Sequence, residues 1–175
     1  GRLVPIKEVD VLIKAMSFIK QDQPELNHRL LIVGDGPLRL ELEKLTEKLD
    51  LIENIIFLRN RVDVSEIYSA ADVNISCQVD SVCFSNAILE GMAVGTPCLI
   101  PRTKYSKLYW SNEFDSILYE ARDSKSLSSS IIKLLENDIL LNKIKTNAST
   151  WHIDNGFTKE QVVEQTIDFY NKISK

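Results

Sequence analysis

Residues Phe84–Pro97 read FSNAILEGMAVGTP, a polar turn that opens a short apolar helix. The pair Ser85-Asn86 begins the helix, Glu90 interrupts its uncharged run, and a short apolar strand, Cys98–Ile100, follows it. The unpaired backbone N–H groups at the start of a helix bind anions. Glu90 follows about one turn later, where its carboxylate is placed to accept hydrogen bonds from sugar hydroxyls. The stretch therefore predicts a site for a nucleoside diphosphate or a nucleotide sugar.

Strand and helix patterns alternate on either side of this stretch, without an internal repeat or a low-complexity linker. Apolar runs predict five strands: Leu30–Val33, Asn54–Leu58, Val73–Ile75, Cys98–Ile100 and Ser116–Tyr119. Helical spacing of apolar residues separates them, as in Val9, Leu12, Ile13, Met16 and Ile19. This alternation predicts an α/β fold, a Rossmann-like parallel sheet with helices on both faces. Ligands of such sheets bind beyond the carboxyl ends of the strands.

The end of the chain is predicted to be helical. Asp123 is a candidate N-cap for a helix to about Leu135, and 139–150 has a weaker helical pattern. Thr158 and Gln161 have the spacing of a capping box. Behind them lies an amphipathic face of Val163, Ile167, Tyr170 and Ile173. We therefore expect one domain over 1–175, with a sheet core at about 1–120 and a helical tail at about 123–175.

Composition narrows the classes of function. The net charge of −4 over 175 residues argues against nucleic-acid binding. The three cysteines form no C-x-x-C pair and the two histidines lie far apart, so we expect no metal site. Because no apolar run reaches 18 residues, we expect a cytoplasmic protein, with attachment to the inner face of the membrane left open.

The chain opens on a loop, Gly1–Pro5, of the kind that follows a strand. We expect that strand to lie ahead of Gly1. If it belongs in the middle of the sheet, this chain alone leaves strand edges exposed, and two copies are then expected to pair as a homodimer.

Four motifs in the same order resemble the C-terminal domain of retaining glycosyltransferases of group 1, or family 4, which have the GT-B fold. The first motif is an opening Gly-Arg-Leu followed by a lysine five residues after the arginine, and here these two residues are Arg2 and Lys7. The Gly-Asp-Gly-Pro turn is Gly34–Pro37, and Tyr68, Ala71 and Asp72 match a Tyr-x-x-Ala-Asp segment. The fourth motif is Phe84–Pro97. The resemblance is specific from Gly1 to about Pro101 and general in the tail.

The resemblance implies a donor-binding domain that needs no metal and holds a UDP- or GDP-linked sugar. Arg2 and Lys7 would contact the diphosphate and stabilise charge on the leaving nucleotide, and Glu90 would hold the ribose hydroxyls; these three are the predicted catalytic residues. The amides around Phe84, Ser85 and Asn86 would hold phosphate and sugar. The segment from Arg59 to Asp63 would lie beside the base, and Gly34 would serve its turn first and the ligand second.

The sequence departs from this family at two places. The family has a Glu-Gly pair before Phe84, where this chain has Val82 and Cys83, and valine cannot bind sugar hydroxyls; Asp80 is a candidate substitute. The segment Arg102–Lys107 lacks the glycines of the family's next turn. These departures favour an alternative, a non-catalytic GT-B-like binding or assembly module that has lost donor binding.

Simpler interpretations exist for the same residues. Arg2 and Lys7 are also typical of solvated surface charges. Glu90 also suits the first turns of a helix, but we expect this apolar helix to be largely buried, where an unpaired carboxylate is costly. Cys83 is expected to be a packing residue, since free cysteine is usually buried.

The prediction is therefore the donor half of a hexosyltransferase that acts with retention in polysaccharide biosynthesis on a glycan, lipid or other acceptor. The acceptor site would lie in an N-terminal domain that this sequence lacks, so we expect this chain alone to be inactive. A nucleotide-sugar epimerase of the same fold would need acidic and histidine residues that the sequence does not offer.

Overall fold

The computed structural model describes residues 1–79 and 85–174. A 3₁₀ turn, Pro5–Lys7, precedes the first helix. The strands are β1 Leu30–Val33, β2 Ile55–Leu58, β3 Asn74–Ile75, β4 Cys98–Arg102 and β5 Ile117–Glu120. The helices are α1 Val9–Asp22, α2 Arg39–Lys48, α3 Val64–Ala70, α4 Asn86–Ala93, α5 Ser106–Tyr109, α6 Ser124–Leu135, α7 Asp138–Asp154 and α8 Lys159–Ile173. The predicted strands and most helices are present, with bounds shifted by a few residues, and α5 is an addition.

All strand pairs between these elements are parallel, which confirms the predicted α/β fold with helices on both faces. The strands divide into two sheets, β1-β2 and β3-β4-β5, where the sequence suggested one. The break lies beside the opening loop, because the Gly1 amino group donates to the Val33 carbonyl at the end of β1. The divided sheet agrees with the expectation of a further central strand, which stays a prediction.

The alternation of side chains along β4 separates two apolar cores. Leu99 points into a core with α1, α2 and α6, whereas Cys98 and Ile100 point into a core with α4 and the end of α7. Strand β5 does the same, since Ile117 and Leu118 lie in different cores. Continuous apolar runs are what a parallel sheet covered on both faces requires.

Helix α4 is fixed against β3 by one polar side chain. Asn74 Nδ2 donates to the Ala87 carbonyl at 2.7 Å. A Cβ added to Gly91 would lie 2.5 Å from Asn74 Nδ2, so a glycine is needed for this approach. Thr96 Oγ1 donates to the Tyr68 carbonyl at 2.7 Å and ties the end of this unit to α3. These contacts set the position of the whole Ser85–Ala93 segment.

The predicted helix starts in the tail are confirmed. Asp123 accepts hydrogen bonds from two amides of the first turn of α6, and Thr158 and Gln161 form the capping box of α8. Helix α8 buries none of its described side chains. Its four apolar residues that the sequence places on one face are 50–62% exposed: Val163, Ile167, Tyr170 and Ile173. The simplest interpretation of an amphipathic helix is that its apolar face packs within the chain. The described residues show no such packing for α8.

None of the helices in the described part of the chain is long and apolar enough to cross a membrane.

Candidate functional site

The opening loop lies on the Gly34–Pro37 turn because two glycines leave room for it. Gly34 has φ +130°, and a Cβ there would lie 1.8 Å from the Gly1 carbonyl oxygen. A Cβ on Gly36 would lie 2.4 Å from the Leu3 carbonyl oxygen. Leu3 is buried, and its N–H donates to the Asp35 carbonyl at 2.9 Å. The turn thus holds the backbone on either side of Arg2, and the expectation that Gly34 serves backbone geometry first agrees with these contacts.

Lys7 ends the 3₁₀ turn at the carboxyl edge of β3. Its Nζ donates to Gln78 Oε1 at 2.6 Å, and the contact is partly buried. The next residue, Glu8, adopts a left-handed conformation at φ 48° and accepts a hydrogen bond from Arg122 Nε at 2.8 Å. Arg2 is exposed, and no described residue bonds to its guanidinium. Lys7 is therefore held in place, while Arg2 is free to turn towards a ligand.

The Arg59–Asp63 segment follows β2, and its first residue is linked to the Gly34–Pro37 turn on which the opening loop lies. Arg59 Nη1 lies 3.8 Å from Asp35 Oδ2, in the turn that carries Leu3. Asp63 accepts two hydrogen bonds from Arg61, at 2.8 and 2.6 Å, and this partner lowers the pKa of the Asp63 carboxyl. No contact among the described residues brings Asp63 to the loop, so its predicted role beside a base stays a prediction.

The first turn of α4 offers unpaired amides. Ser85 occupies the N-cap position in an extended conformation, but its side chain does not cap the helix. Within the described part of the chain, no acceptor bonds to the N–H groups of Asn86 and Ala87. Such amides, at the positive end of the helix dipole, are an anion-binding arrangement. Phe84, predicted to take part in this site, lies outside the described residues.

Glu90 lies on the solvent side of α4, so the prediction that it is buried is wrong. The helix buries Ile88, Gly91 and Met92 on one face, and Asn86 and Glu90, four residues apart, share another. The argument from the cost of an unpaired buried charge therefore does not apply. An exposed carboxylate beside unpaired amides remains accessible to a ligand, which a buried one would not be.

Tyr68 is the neighbour that orients this carboxylate. Its Oη donates to Glu90 Oε2 at 3.4 Å, a long hydrogen bond. Burial, and then the negative charge of Glu90, raise the pKa of Tyr68 to about 12. The hydroxyl therefore keeps its proton at neutral pH and stays a donor to Glu90.

The opening loop and α4 are both attached to β3 and the segment that follows it. Lys7 Nζ donates to Gln78 Oε1 at 2.6 Å, and Asn74 Nδ2 donates to the Ala87 carbonyl in the first turn of α4 at 2.7 Å. Burial lowers the pKa of the Gly1 amino group, the positive charge of Lys7 lowers it further, and the negative charge of Glu90 opposes both.

Sequence reasoning missed Gln78 and gave Tyr68 no role at the site. Tyr68 belongs to the Tyr-x-x-Ala-Asp motif, which is the signal in the sequence that marks it, whereas no pattern in the sequence marks Gln78. Burial raises the pKa of both Cys77 and Cys98 to about 12. Both thiols therefore stay protonated at neutral pH and are not nucleophilic. Among residues 1–79 and 85–174, no group of three or more His, Cys, Asp or Glu side chains is placed to hold a metal.

The family model described as glycosyl transferases group 1 matches residues 1–151. Among curated proteins, the chain is 28% identical over 171 residues to the UDP-Gal:alpha-D-GlcNAc-diphosphoundecaprenol alpha-1,3-galactosyltransferase of Escherichia coli, covering 97% of this chain and 43% of that protein. It is 26% identical over 176 residues to the lipopolysaccharide core biosynthesis glycosyltransferase LpsD of Rhizobium meliloti, covering 98% and 48%. The chain thus spans less than half the length of these relatives.

Solved structures share the fold. Anabaena Alr3699/HepE in complex with UDP superposes with a TM-score of 0.88 at 21% identity, over 98% of this chain and 47% of that one. The C-terminal domain of the group 1 family protein LpcC of Francisella tularensis gives a TM-score of 0.75 at 20% identity, over 88% of this chain and 82% of that one. The second match shows that the fold has been solved as a separate domain.

Proposed function

This chain belongs to the glycosyl transferases of group 1, and we propose that it holds the nucleotide-sugar donor, linked to UDP or GDP, for a hexosyltransferase. The observation that carries the proposal is that Lys7 and the first turn of α4 are both held by β3 and the segment after it, through Gln78 Oε1 and Asn74 Nδ2. A positive side chain and the helix amides that have no acceptor among the described residues suit the diphosphate of a nucleoside diphosphate, and an exposed carboxylate suits its ribose hydroxyls.

In the proposed complex, Arg2 and Lys7 contact the diphosphate, the amides of Asn86 and Ala87 donate to its oxygens, and Glu90 accepts from the ribose hydroxyls. When the bond between the sugar and the diphosphate breaks, negative charge grows on the phosphate oxygens. A cation already fixed at that place stabilises the charge without reorganisation, which is usually a large part of catalysis. Lys7 suits this role because Gln78 already holds its ammonium group in place.

UDP or GDP is expected to raise the melting temperature of the chain. A ligand that binds only the folded state at 100 times its Kd stabilises it by about 2.7 kcal/mol, which corresponds to roughly 5–10 °C for a chain of this size. Differential scanning fluorimetry measures the shift, with inorganic pyrophosphate as the control for simple anion binding. Melting curves that stay unchanged with both nucleotides, or that pyrophosphate alone reproduces, would contradict donor binding.

We further propose that transfer, with retention, to a glycan, lipid or other acceptor requires a second domain of a longer protein, so that this chain alone is inactive. Supporting this, α8 leaves its apolar face uncovered, with Ile167 54% and Tyr170 61% exposed. A cytoplasmic enzyme of polysaccharide biosynthesis at the inner face of the membrane fits the proposal. A homodimer is the competing way to cover α8, and analytical ultracentrifugation distinguishes the two, since a monomer at micromolar concentration favours the second domain.

Val82→Glu is expected to strengthen binding of UDP-glucose relative to UDP. Val82 lies outside the described residues. It stands where the family has a glutamate that contacts the sugar hydroxyls. Regaining one hydrogen bond to a charged group is worth about 1.5–3 kcal/mol of binding free energy. Isothermal titration calorimetry of both ligands measures the ratio, with Val79→Glu as the control for added charge nearby. An unchanged ratio would contradict this role for residue 82. Absence of UDP binding in the unmodified chain would instead favour the alternative of a non-catalytic module.

A further inference from the structure

We propose that Gln78 is a further donor-binding residue, which orients Lys7 through its amide oxygen and donates to the diphosphate through its amide nitrogen. The inference rests on the proposed function and deepens it. It adds to the anion site a further hydrogen-bond donor, which lies on the segment after β3 and is 71 positions away from Lys7 along the chain.

The orientation of the Gln78 amide follows from its partner. Lys7 Nζ lies 2.6 Å from Gln78 Oε1, and an ammonium group only donates hydrogen bonds. The amide oxygen must therefore face Lys7, and the NH₂ group must face away from it. Among the described residues, no acceptor bonds to this NH₂ group, although the side chain is only partly exposed. With respect to residues 1–79 and 85–174, the pair thus has spare hydrogen-bond donors on both members.

The choice of an amide rather than a carboxylate keeps the positive charge of Lys7 uncancelled. Some other cations in the described part of the chain are matched with acids, as Arg59 is with Asp35 and Arg61 with Asp63. Lys7 instead has a neutral partner that fixes its position. A cation that is held in place but not neutralised attracts an anion, and the free amide N–H groups beside it add hydrogen bonds to the same anion.

Both members lie where a ligand of a parallel α/β fold binds. Gln78 comes three residues after the end of β3, and Lys7 ends the loop that lies on the Gly34–Pro37 turn after β1. These are the carboxyl ends of two strands on opposite sides of the break between the sheets. The Lys7–Gln78 hydrogen bond therefore links the opening loop to the segment after β3 across that break.

The decisive variant is Gln78→Glu, which keeps the size of the side chain and places a negative charge against Lys7. Calorimetric titration with uridine, UMP and UDP, and with the guanosine series in parallel, is expected to show UDP binding weakened about tenfold or more, the loss of one charge-assisted contact. Nucleoside binding should change less than about twofold, because the base and ribose do not touch Gln78. Gln21→Glu is the matched control, since it makes the same charge change on an exposed residue near the end of α1.

Gln78→Met removes the amide without adding charge and is expected to weaken UDP about threefold to tenfold, with uridine unchanged. It serves as the test if Gln78→Glu does not fold. An unaltered UDP affinity in the folded variants, or equal losses for UDP and uridine, would overturn the role of Gln78 while leaving the proposed function intact. Absence of UDP and GDP binding in the unmodified chain would overturn both.

Discussion

Glu90→Ala is expected to weaken UDP binding by about 2–3 kcal/mol, or roughly 30- to 150-fold, while the fold stays as stable as before. The loss is large because one carboxylate accepts from two ribose hydroxyls, and hydrogen bonds to charged groups are the strong ones. The fold is spared because Glu90 is exposed and its one described partner, Tyr68 Oη, lies 3.4 Å away. Calorimetry measures the affinity, and thermal melting without ligand measures the stability.

The ribose assignment has a sharper test than the loss itself. UDP that lacks the 2′ and 3′ hydroxyls should bind the unmodified chain about as weakly as UDP binds Glu90→Ala, and the variant should no longer distinguish the two ligands. Glu164→Ala, which removes an exposed glutamate from α8, is the matched control and should bind both as the unmodified chain does. If Glu90→Ala binds UDP with full affinity, Glu90 does not hold the ribose.

Gly36→Ala is expected to destabilise the fold by about 1–3 kcal/mol and to weaken UDP binding more than uridine binding. The added Cβ would lie 2.4 Å from the Leu3 carbonyl oxygen and 2.7 Å from the Leu3 nitrogen, so the opening loop must move. Leu3 is 2% exposed, and its displacement removes a buried side chain from the core. Because the same loop carries Arg2 and Lys7, the cations move away from the anion site.

Gly95→Ala separates the loss of stability from the loss of binding. Gly95 has φ +81° with nothing within 4 Å of its added Cβ, so alanine there costs backbone strain without a steric clash. We expect urea unfolding to show a lower stability for both variants but UDP affinity to fall only in Gly36→Ala. If Gly36→Ala keeps full stability and full UDP affinity, the loop is not held against this turn as the structure shows.

The elements of this fold follow from local rules that a sequence displays directly. Residue 85 begins α4, Asp123 caps α6, and Thr158 with Gln161 caps α8, because capping depends on residues within one turn of the helix start. The parallel strands follow from apolar runs between helices. The catalytic candidates followed from the family resemblance and not from these rules, and their roles stay predictions.

Three features of the site could not be predicted from the sequence. The exposure of Glu90 depends on which face of α4 packs on β3, and that is set by Asn74 and Gly91. The partners Tyr68 and Gln78 lie 22 and 71 positions from Glu90 and Lys7, beyond any periodicity. The break between the two sheets depends on which strands are close enough to pair.

Residue order alone was sufficient for the α/β class, the helix starts, the alternating strands and the family, because these depend on contacts within a few positions or on motifs read directly. The neutral partner of Lys7, the accessibility of Glu90 and the attachment of the opening loop and α4 to the region of β3 required the folded chain. Hydrogen bonds and charges act through distance in space, and the contacts of the opening loop with the Gly34–Pro37 turn join segments that are distant along the chain.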